Sequence, residues 1–190
     1  MRIPRSVVLA IGFTATIPAL AQRAVEPVPG DPITGILEAF QRTRLVAIGE
    51  VHGLQQEHDF IVRLVSDARF AAVVRNIVVE FGNAMYQPQM DRYTAGENVP
   101  AEEVQKVWRN TALSPLSPFD APVYERFFAT VRALNASRSQ ADGIRIVLAD
   151  IPVDWSKSAA DIDAVKSAST RDSHFHKVIQ REVLALPSHK

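Results

Sequence analysis

The sequence contains no cysteine. Disulfide bonds, thiolate metal sites, a cysteine nucleophile and a lipid anchor on an N-terminal cysteine are therefore excluded. The chain also lacks a net charge, because 21 lysines and arginines balance 21 aspartates and glutamates among its 190 residues. A balanced chain has no strong field toward nucleic acid or anionic lipid, and no nucleic-acid motif is present, so we expect no nucleic-acid partner.

Several catalytic and nucleotide-binding motifs are also absent. Glu57 precedes His58 without the partners that H-E-x-x-H requires, and four residues separate His52 from Glu57 where H-x-x-E-H has two. Gly49 and Gly53 match neither glycine-rich phosphate fingerprint. There is no internal repeat or low-complexity tract. An apolar content of 47% and a charged content of 22% are typical of an ordinary globular protein.

The N-terminus has the organisation of a signal peptide. Two early arginines precede the largely apolar run Ser6–Leu20, and an A-x-A cleavage site ends at Ala21. We predict a signal peptide at residues 1–21 and an extended, proline-rich leader at residues 22–31. A membrane anchor is the alternative, but the run is short for a span of roughly 20 residues. The protein is expected to be exported, periplasmic or secreted, with no stable membrane span after cleavage.

Residues 32–190 alternate strands with helices, which indicates a single α/β domain. Short apolar runs predict three buried strands, at Leu45–Gly49, Ile77–Val79 and Ile144–Ala149. Helical spacing predicts helices at Pro32–Arg42, Leu54–Phe70, Tyr86–Ala95, Ala101–Thr111 and Pro122–Asn135, and from Ser169 or Thr170 to Leu186. We predict a mostly parallel sheet with helices on both faces and a helical insertion between the second and third strands. Three strands are few for such a sheet, and a domain incomplete at its C-terminus is an open alternative.

An acid follows each predicted strand, at Glu50, Glu80 and Asp150. Ligands bind outside the carboxyl ends of the strands in open α/β sheets, and parallel strands would bring all three carboxylates to that edge. Clustered carboxylates need a metal, a histidine or arginine partner, or a shared proton. Each acid alone has an ordinary alternative, as a helix cap or a solvated side chain. The three together predict a catalytic or ligand-binding site.

Two histidines and an arginine are candidates to complete this site. His52 lies in the turn after Glu50, where an imidazole can act as general base or metal ligand near neutral pH. Glu57 and His58 lie on the first turn of the next helix and should face inward as ligand-binding residues. A buried, hydrogen-bonded histidine is the alternative for His58. Arg171 opens the last helix, where the helix dipole disfavours it, so it either serves a carboxylate or ligand or is solvated.

Three short segments resemble a known superfamily. Leu45–Gly53 resembles the G-E-x-H segment shared by the ChaN-like haem-uptake proteins and the erythromycin esterase-like hydrolases, both of the TIKI-type superfamily. Ile77–Glu80 is similar to its second motif, a strand that ends in glutamate. Thr170–Asp172 is similar to the R-D segment of the esterase-like branch. The resemblance extends from about residue 44 to residue 186.

The resemblance implies roles for particular residues. Glu50, His52 and Glu80 match positions that imply a metal-binding or general acid/base site, and Arg171 matches a site-lining arginine. The spacing itself leaves an irregular metal site from Glu50, His52 and Glu80 open. The sequence departs from the family at its end, where the family continues into a further strand with a histidine-containing segment.

Three functions are open from the sequence. The first is hydrolysis of a small ester, lactone or peptide, with His52 as general base and the neighbouring carboxylates orienting it or holding a divalent metal. Such general-base help is typically worth roughly 10²–10⁴ in rate. The second is haem-binding uptake without catalysis, with an axial ligand among His58, Tyr86 and Tyr93. The third is an inactive, truncated homologue. We favour the first.

Overall fold

The computed structural model describes residues 28–114, 119–139 and 142–185. The domain that begins at Asp31 is one compact unit. The predicted signal peptide at residues 1–21, most of the leader and the predicted end of the last helix at Leu186 lie outside the described residues. Within the described ranges, no helix has both the length and the apolar character needed to cross a membrane.

The domain is an α/β fold in which helices dominate. In chain order the elements are α1 (Pro32–Ala39), α2 (Gln55–Ser66), α3 (Phe70–Val73), β1 (Asn76–Asn83), a 3₁₀ turn (Ala84–Tyr86), α4 (Gln87–Thr94), α5 (Ala101–Arg109), α6 (Pro122–Asn135), β2 (Arg145–Asp150), α7 (Ala159–Ser167), α8 (Arg171–Ile179) and a π-helical turn (Gln180–Leu184). The predicted α/β class is confirmed. Helices α4, α5 and α6 form a helical insertion between the two strands.

The sheet consists of two parallel strands among the described residues. β1 and β2 are rich in valine, isoleucine and leucine, and Val79 lies opposite Leu148 in their ladder. Alternate side chains of a strand face opposite sides of the sheet. Leu148 accordingly packs into the main core with the aromatic side chains of α6, whereas Val147 packs against Val178 of α8. Helices therefore contact both faces of this small sheet.

The strand ladder is irregular near its carboxyl end. Regular pairing stops at Val79 and resumes where Asn83 lies opposite Asp150. Between them, a Cβ atom on Gly82 would lie 2.5 Å from Leu148 Cδ2, closer than real Cβ contacts allow. Glycine at this position therefore allows the backbone of β1 to approach the Leu148 side chain.

The first predicted strand, Leu45–Gly49, is wrong. The segment has no regular secondary structure, and its main chain from Val46 to Gly49 makes no hydrogen bond to the described part of the chain. Leu45 and Ile48 are 40% and 45% exposed, so the segment is not buried either. A strand needs a neighbour to pair its backbone N–H and C=O groups. Here a cleft separates the segment from the outer edge of β1.

The end of the domain also differs from the predicted single helix. α7 at Ala159–Ser167 precedes α8 and was not predicted. The Thr170 side chain accepts a hydrogen bond from the Ser173 N–H and caps α8, so the predicted helix start at Thr170 is confirmed. This cap places Arg171 on the first turn of α8, at the carboxyl end of the sheet.

Candidate functional site

A tight turn carries the chain from Glu50 into α2. Gly53 adopts a φ of +74°, a left-handed conformation that favours glycine. The Leu54 N–H donates to the Val51 carbonyl across the turn. The Val51 N–H donates to Glu57 Oε2 at 2.8 Å. Glu57, predicted to bind a ligand, therefore supports this turn from the first turn of α2.

Glu50 is the centre of a hydrogen-bonded cluster. Its Oε2 lies 2.5 Å from His52 Nδ1, and its Oε1 lies 2.9 Å from His58 Nε2. The Tyr124 hydroxyl donates to the same Oε1 at 2.9 Å. The Gly53 N–H donates to the Tyr124 oxygen at 2.9 Å and lies 3.3 Å from Glu50 Oε1. Segments from α2, α6 and the turn thus converge on a single carboxylate.

These hydrogen bonds fix the ionisation of the cluster. Burial by itself raises the pKa of Glu50, but hydrogen bonds from His58, His52 and Tyr124 outweigh it and lower the pKa to about 2. Burial and the adjacent Glu50 carboxylate raise the pKa of the Tyr124 hydroxyl. At neutral pH Glu50 is therefore an ionised acceptor and Tyr124 a protonated donor.

The two histidines of the cluster have different exposures. The His58 side chain is fully buried, and its Nδ1 has no hydrogen-bond partner in the part of the chain that the structure describes. The contact with Glu50 therefore assigns the proton of His58 to Nε2. The His52 side chain is 33% exposed, and its ring packs edge-on against Phe119 with the centroids 4.5 Å apart. Within the described ranges, His52 Nε2 makes no hydrogen bond.

Arg171 joins the other two predicted acids. Its Nε donates to Asp150 Oδ1 at 2.9 Å, and its Nη2 lies 2.9 Å from Glu80 Oε1. The Ala112 N–H donates to the second Asp150 oxygen at 2.6 Å. The Asp150 side chain is fully buried, whereas that of Glu80 is 47% exposed. Of the two sequence-based interpretations of Arg171, pairing with a carboxylate is the one observed.

The predicted site residues thus form two clusters. Glu80 and Asp150 meet through Arg171 at the carboxyl end of the sheet, as expected from parallel strands. Glu50 belongs to the other cluster, with His52 and His58, although Glu50 and Glu80 line the same cleft. The turn and the adjoining segment, and not a third strand, position Glu50 there.

The described residues contain no group of three or more histidine, aspartate or glutamate side chains placed to hold a metal ion. Glu50 and His52 contact each other, and Glu80 is paired with Arg171. The present arrangement therefore does not fit a divalent metal, and metal binding by Glu50, His52 and Glu80 stays a prediction.

Each residue predicted as an axial haem ligand has a contact of its own in the structure. His58 is fully buried and bound to Glu50. The Tyr86 hydroxyl accepts a hydrogen bond from Asn110 Nδ2 at 3.0 Å. The Tyr93 ring lies 4.7 Å from the Arg132 guanidinium carbon. Haem binding stays a prediction.

Two aromatic residues of the site, Tyr124 and Phe119, are not among those that the sequence singles out. Both are fully buried. Tyr124 lies in α6 and Phe119 lies just before it. In the sequence, both look like ordinary apolar packing residues. The only clue to a polar role is chemical, because a buried tyrosine hydroxyl usually needs a hydrogen-bond partner.

Comparisons with known proteins do not identify the chain. No protein-family model matches it, and neither the curated proteins nor the solved structures contain a match.

Proposed function

We propose that this protein is a hydrolase of small esters that uses His52 as its general base. The observation that carries the proposal is the contact between Glu50 Oε2 and His52 Nδ1, which leaves the other ring nitrogen of a partly exposed imidazole without a partner among the described residues. A carboxylate on one imidazole nitrogen and an available second nitrogen are the parts that proton abstraction needs.

The carboxylate has two roles in this proposal. It keeps the proton of neutral His52 on Nδ1, so Nε2 carries the lone pair that accepts a proton from water. It then stabilises the imidazolium that forms, as the aspartate does in serine-protease triads. The low pKa of Glu50 supports both roles, since the group stays ionised throughout the neutral range. His58 and Tyr124 are positioning residues that hold the carboxylate.

The cluster of Glu80, Asp150 and Arg171 contributes the guanidinium of Arg171 as a cation held in place. Arg171 is held between buried Asp150 and half-exposed Glu80 at the carboxyl end of the sheet. In this proposal Glu80 orients Arg171 and is not itself a base or a metal ligand. The resemblance to erythromycin esterase-like hydrolases supports the ester class, and lactones and peptides are the other carbonyl compounds to be compared.

The test compares matched glutamine variants with p-nitrophenyl acetate as the substrate. We expect His52→Gln to lower kcat/KM by roughly 10²–10⁴, the usual contribution of a general base. We expect Glu50→Gln to lower kcat more than it changes KM, because Glu50 acts through His52. His176 is exposed on α8, so His176→Gln is the matched control and should retain the wild-type rate.

Two results would overturn this assignment. One is a His52→Gln enzyme whose rate stays within twofold of wild type. The other is an activity that disappears with EDTA and returns with a divalent cation, which would instead favour a metal-assisted mechanism. A strong Soret band on adding hemin, without any esterase activity, would favour the haem-binding function.

A further inference from the structure

A cleft lies between residues 45–49 and the outer edge of β1, and we define this space as the edge cleft. Its first wall is the irregular segment itself, whose main chain from Val46 to Gly49 makes no hydrogen bond within the described ranges. Its second wall is β1. The Arg145 N–H of β2 donates to the Arg75 carbonyl. Main-chain groups of successive strand residues point to opposite edges, so residues 77 and 79 point toward β2, and Val78 and Glu80 point toward the edge cleft.

The outer edge of β2 shows what a satisfied edge of this sheet looks like. The Gln87 side chain donates to the Ile146 carbonyl and accepts from the Leu148 N–H, at 2.8 and 2.7 Å. On the outer edge of β1, the main-chain groups of Val78 and Glu80 have no such partner among the residues that the structure describes. The two edges of one small sheet therefore differ, and the edge cleft lies beside the one that lacks partners.

An occupant of the edge cleft must satisfy hydrogen-bonding groups on both of its sides. Main-chain N–H and C=O groups that are shielded from water without partners cost free energy. An alkyl chain or an aromatic ring would leave both walls in that condition. An extended peptide has donors and acceptors along both of its edges, and the addition of a strand to a sheet edge is a common mode of peptide recognition. The chemistry of the walls therefore selects a β-strand.

The edge cleft is wide enough for one strand. The centre of a water molecule can reach about 360 Å³ of it, and a margin of about 1.4 Å between that centre and the walls adds to its width. The β1 wall over Ile77–Phe81 is about 17 Å long at about 3.3 Å per residue. The cross-section is then roughly 20 Å² for the water centre and roughly 55 Å² with the margin, whereas a strand in a packed sheet needs about 48 Å².

Helices cover both faces of the edge cleft. Leu64 of α2 lines it and packs in the main core together with Val79. Phe175 of α8 also lines it and packs with Val78 on the opposite face of β1. Strands that are buried on both faces have nearly continuous runs of apolar, often β-branched, residues. A strand in the edge cleft should therefore have such side chains at successive positions.

The carboxyl end of the edge cleft is negatively charged. Glu50 and Glu80 line this end, and the low pKa of Glu50 keeps its carboxylate ionised at neutral pH. Arg171 is shared between Glu80 and Asp150, so one guanidinium faces three carboxylates. A lysine or arginine is therefore favoured where an occupant leaves this end, and an acidic residue is disfavoured there.

We propose that the edge cleft binds a peptide strand of about five residues from a partner protein. The strand is apolar and β-branched throughout and carries a lysine or arginine beside Glu50 and Glu80. It pairs with β1 along one edge and with residues 46–49 along the other, and so extends the sheet. A second copy of the chain is a poorer occupant, because its own β1 edge lies behind its own residues 46–49. Binding does not use His52 and is independent of the proposed hydrolase function.

The first test asks whether both edges of the bound strand are used. The probe is a fluorescein-labelled peptide of five valine and isoleucine residues with two lysines at one end, made in both chain directions. The tighter binder by fluorescence anisotropy is carried forward. Methylation of alternate amide nitrogens removes the donors from one edge of a strand, so two methylated versions test the two edges separately. We expect each to bind at least tenfold more weakly than the parent peptide, and replacement of the lysines by glutamines also to weaken binding.

The second test uses a filling variant and a matched control. Ala47 lines the edge cleft and is exposed, so Ala47→Trp obstructs it without replacing a core residue. Ala160 is exposed on α7 and does not line it, so Ala160→Trp is the control. We expect Ala47→Trp to bind the peptide at least tenfold more weakly, and Ala160→Trp and His52→Gln to bind it as wild type does. Peptide binding without esterase activity would remove the proposed function and leave this assignment intact.

Four outcomes would overturn the assignment. Methylated peptides that bind as tightly as the parent would mean apolar contact without strand pairing. Equal losses in the two tryptophan variants would mean nonspecific adsorption. Amides of Val78 and Glu80 that exchange as slowly as those of Ile77 and Val79, without peptide, would mean that the edge is already paired. A peptide-free dimer that the peptide dissociates would assign the edge cleft to a second copy of the chain.

Discussion

At the scale of single residues, Glu50 has an environment that favours its ionised form. Two histidines and a tyrosine surround the carboxylate, and together their hydrogen bonds outweigh the cost of burial. This arrangement differs from that of a catalytic acid, whose pKa must be raised. Glu50 therefore serves as a fixed negative charge that orients its neighbours.

The low pKa of Glu50 makes stability depend on acidity. Its folded-state pKa of about 2 lies below the ordinary value of 4.5, so its stabilisation is present above pH 4.5 and is lost as the pH falls toward 2. At pH 3 this loss should reach about 2 kcal/mol, at about 1.4 kcal/mol per pKa unit. Between pH 6 and pH 3, Glu50→Gln should lose about 2 kcal/mol less unfolding free energy than wild type in urea titrations.

The control for this measurement is Glu102→Gln, which removes an exposed glutamate on α5. It should follow the wild-type dependence on pH. Parallel curves for wild type and Glu50→Gln would show that the carboxylate is not held as the hydrogen bonds indicate.

Arg171 forms two ion pairs that differ in how much they contribute to stability. Its partner Asp150 is fully buried and also accepts a main-chain N–H, whereas Glu80 is half exposed. Exposed pairs typically contribute about 0–1 kcal/mol, and removing one partner of a buried pair is much more costly. Asp150, which accepts the hydrogen bond from Arg171 Nε, therefore determines where Arg171 lies.

At the scale of elements, similar sequence signals led to different structures. The apolar runs in β1 and β2 form strands as predicted, because each provides the backbone partner of the other. Leu45–Gly49 is similarly apolar but lies across a cleft from β1 and forms no strand pairing with the described residues. Hydrophobicity in a sequence indicates what can be buried, and it does not reveal whether a neighbour is available to pair.

The close approach at Gly82 gives a prediction for the sheet. Gly82→Ala should lower the unfolding free energy by about 1–3 kcal/mol, the usual cost of overpacking a core, because the new Cβ would meet Leu148 Cδ2 at 2.5 Å. Gly35→Ala, within α1 and with nothing within 4 Å of the new Cβ, should instead raise it by about 0.5–1 kcal/mol. Urea unfolding of both variants measures the contrast, and a stabilising Gly82→Ala would contradict the observed register.

At the scale of the whole molecule, protection against hydrogen exchange should be uneven. Amides of Val46–Gly49 have no main-chain partner among the described residues, so they should exchange almost as fast as those of an unfolded peptide. Amides of Ile146–Ala149 lie in the buried ladder and should exchange slowest. Exchange followed by mass spectrometry separates the two segments. Equal protection would mean that residues 46–49 form a third strand in solution.

The proximity of two of the predicted acids could be foreseen from the sequence, and the surroundings of Glu50 could not. Strand ends correctly placed Glu80 and Asp150 near each other, and the first turn of α8 placed Arg171 between them. The partnership of Glu50 with Tyr124 could not be predicted, because 74 residues separate them and the spacing of Tyr124 is that of an ordinary buried helix residue. Contacts of this kind depend on how α6 packs against α2.

The position of Glu50 makes two parts of the structure sensitive to acid at once. The Glu50 carboxylate connects the end of residues 46–49 to His58 of α2 and also contacts the imidazole of His52. Protonation of Glu50 would weaken both contacts, so residues 46–49 and the His52 ring would become more mobile at the same pH. Acidification toward pH 2 should therefore free residues 46–49 and the His52 ring together.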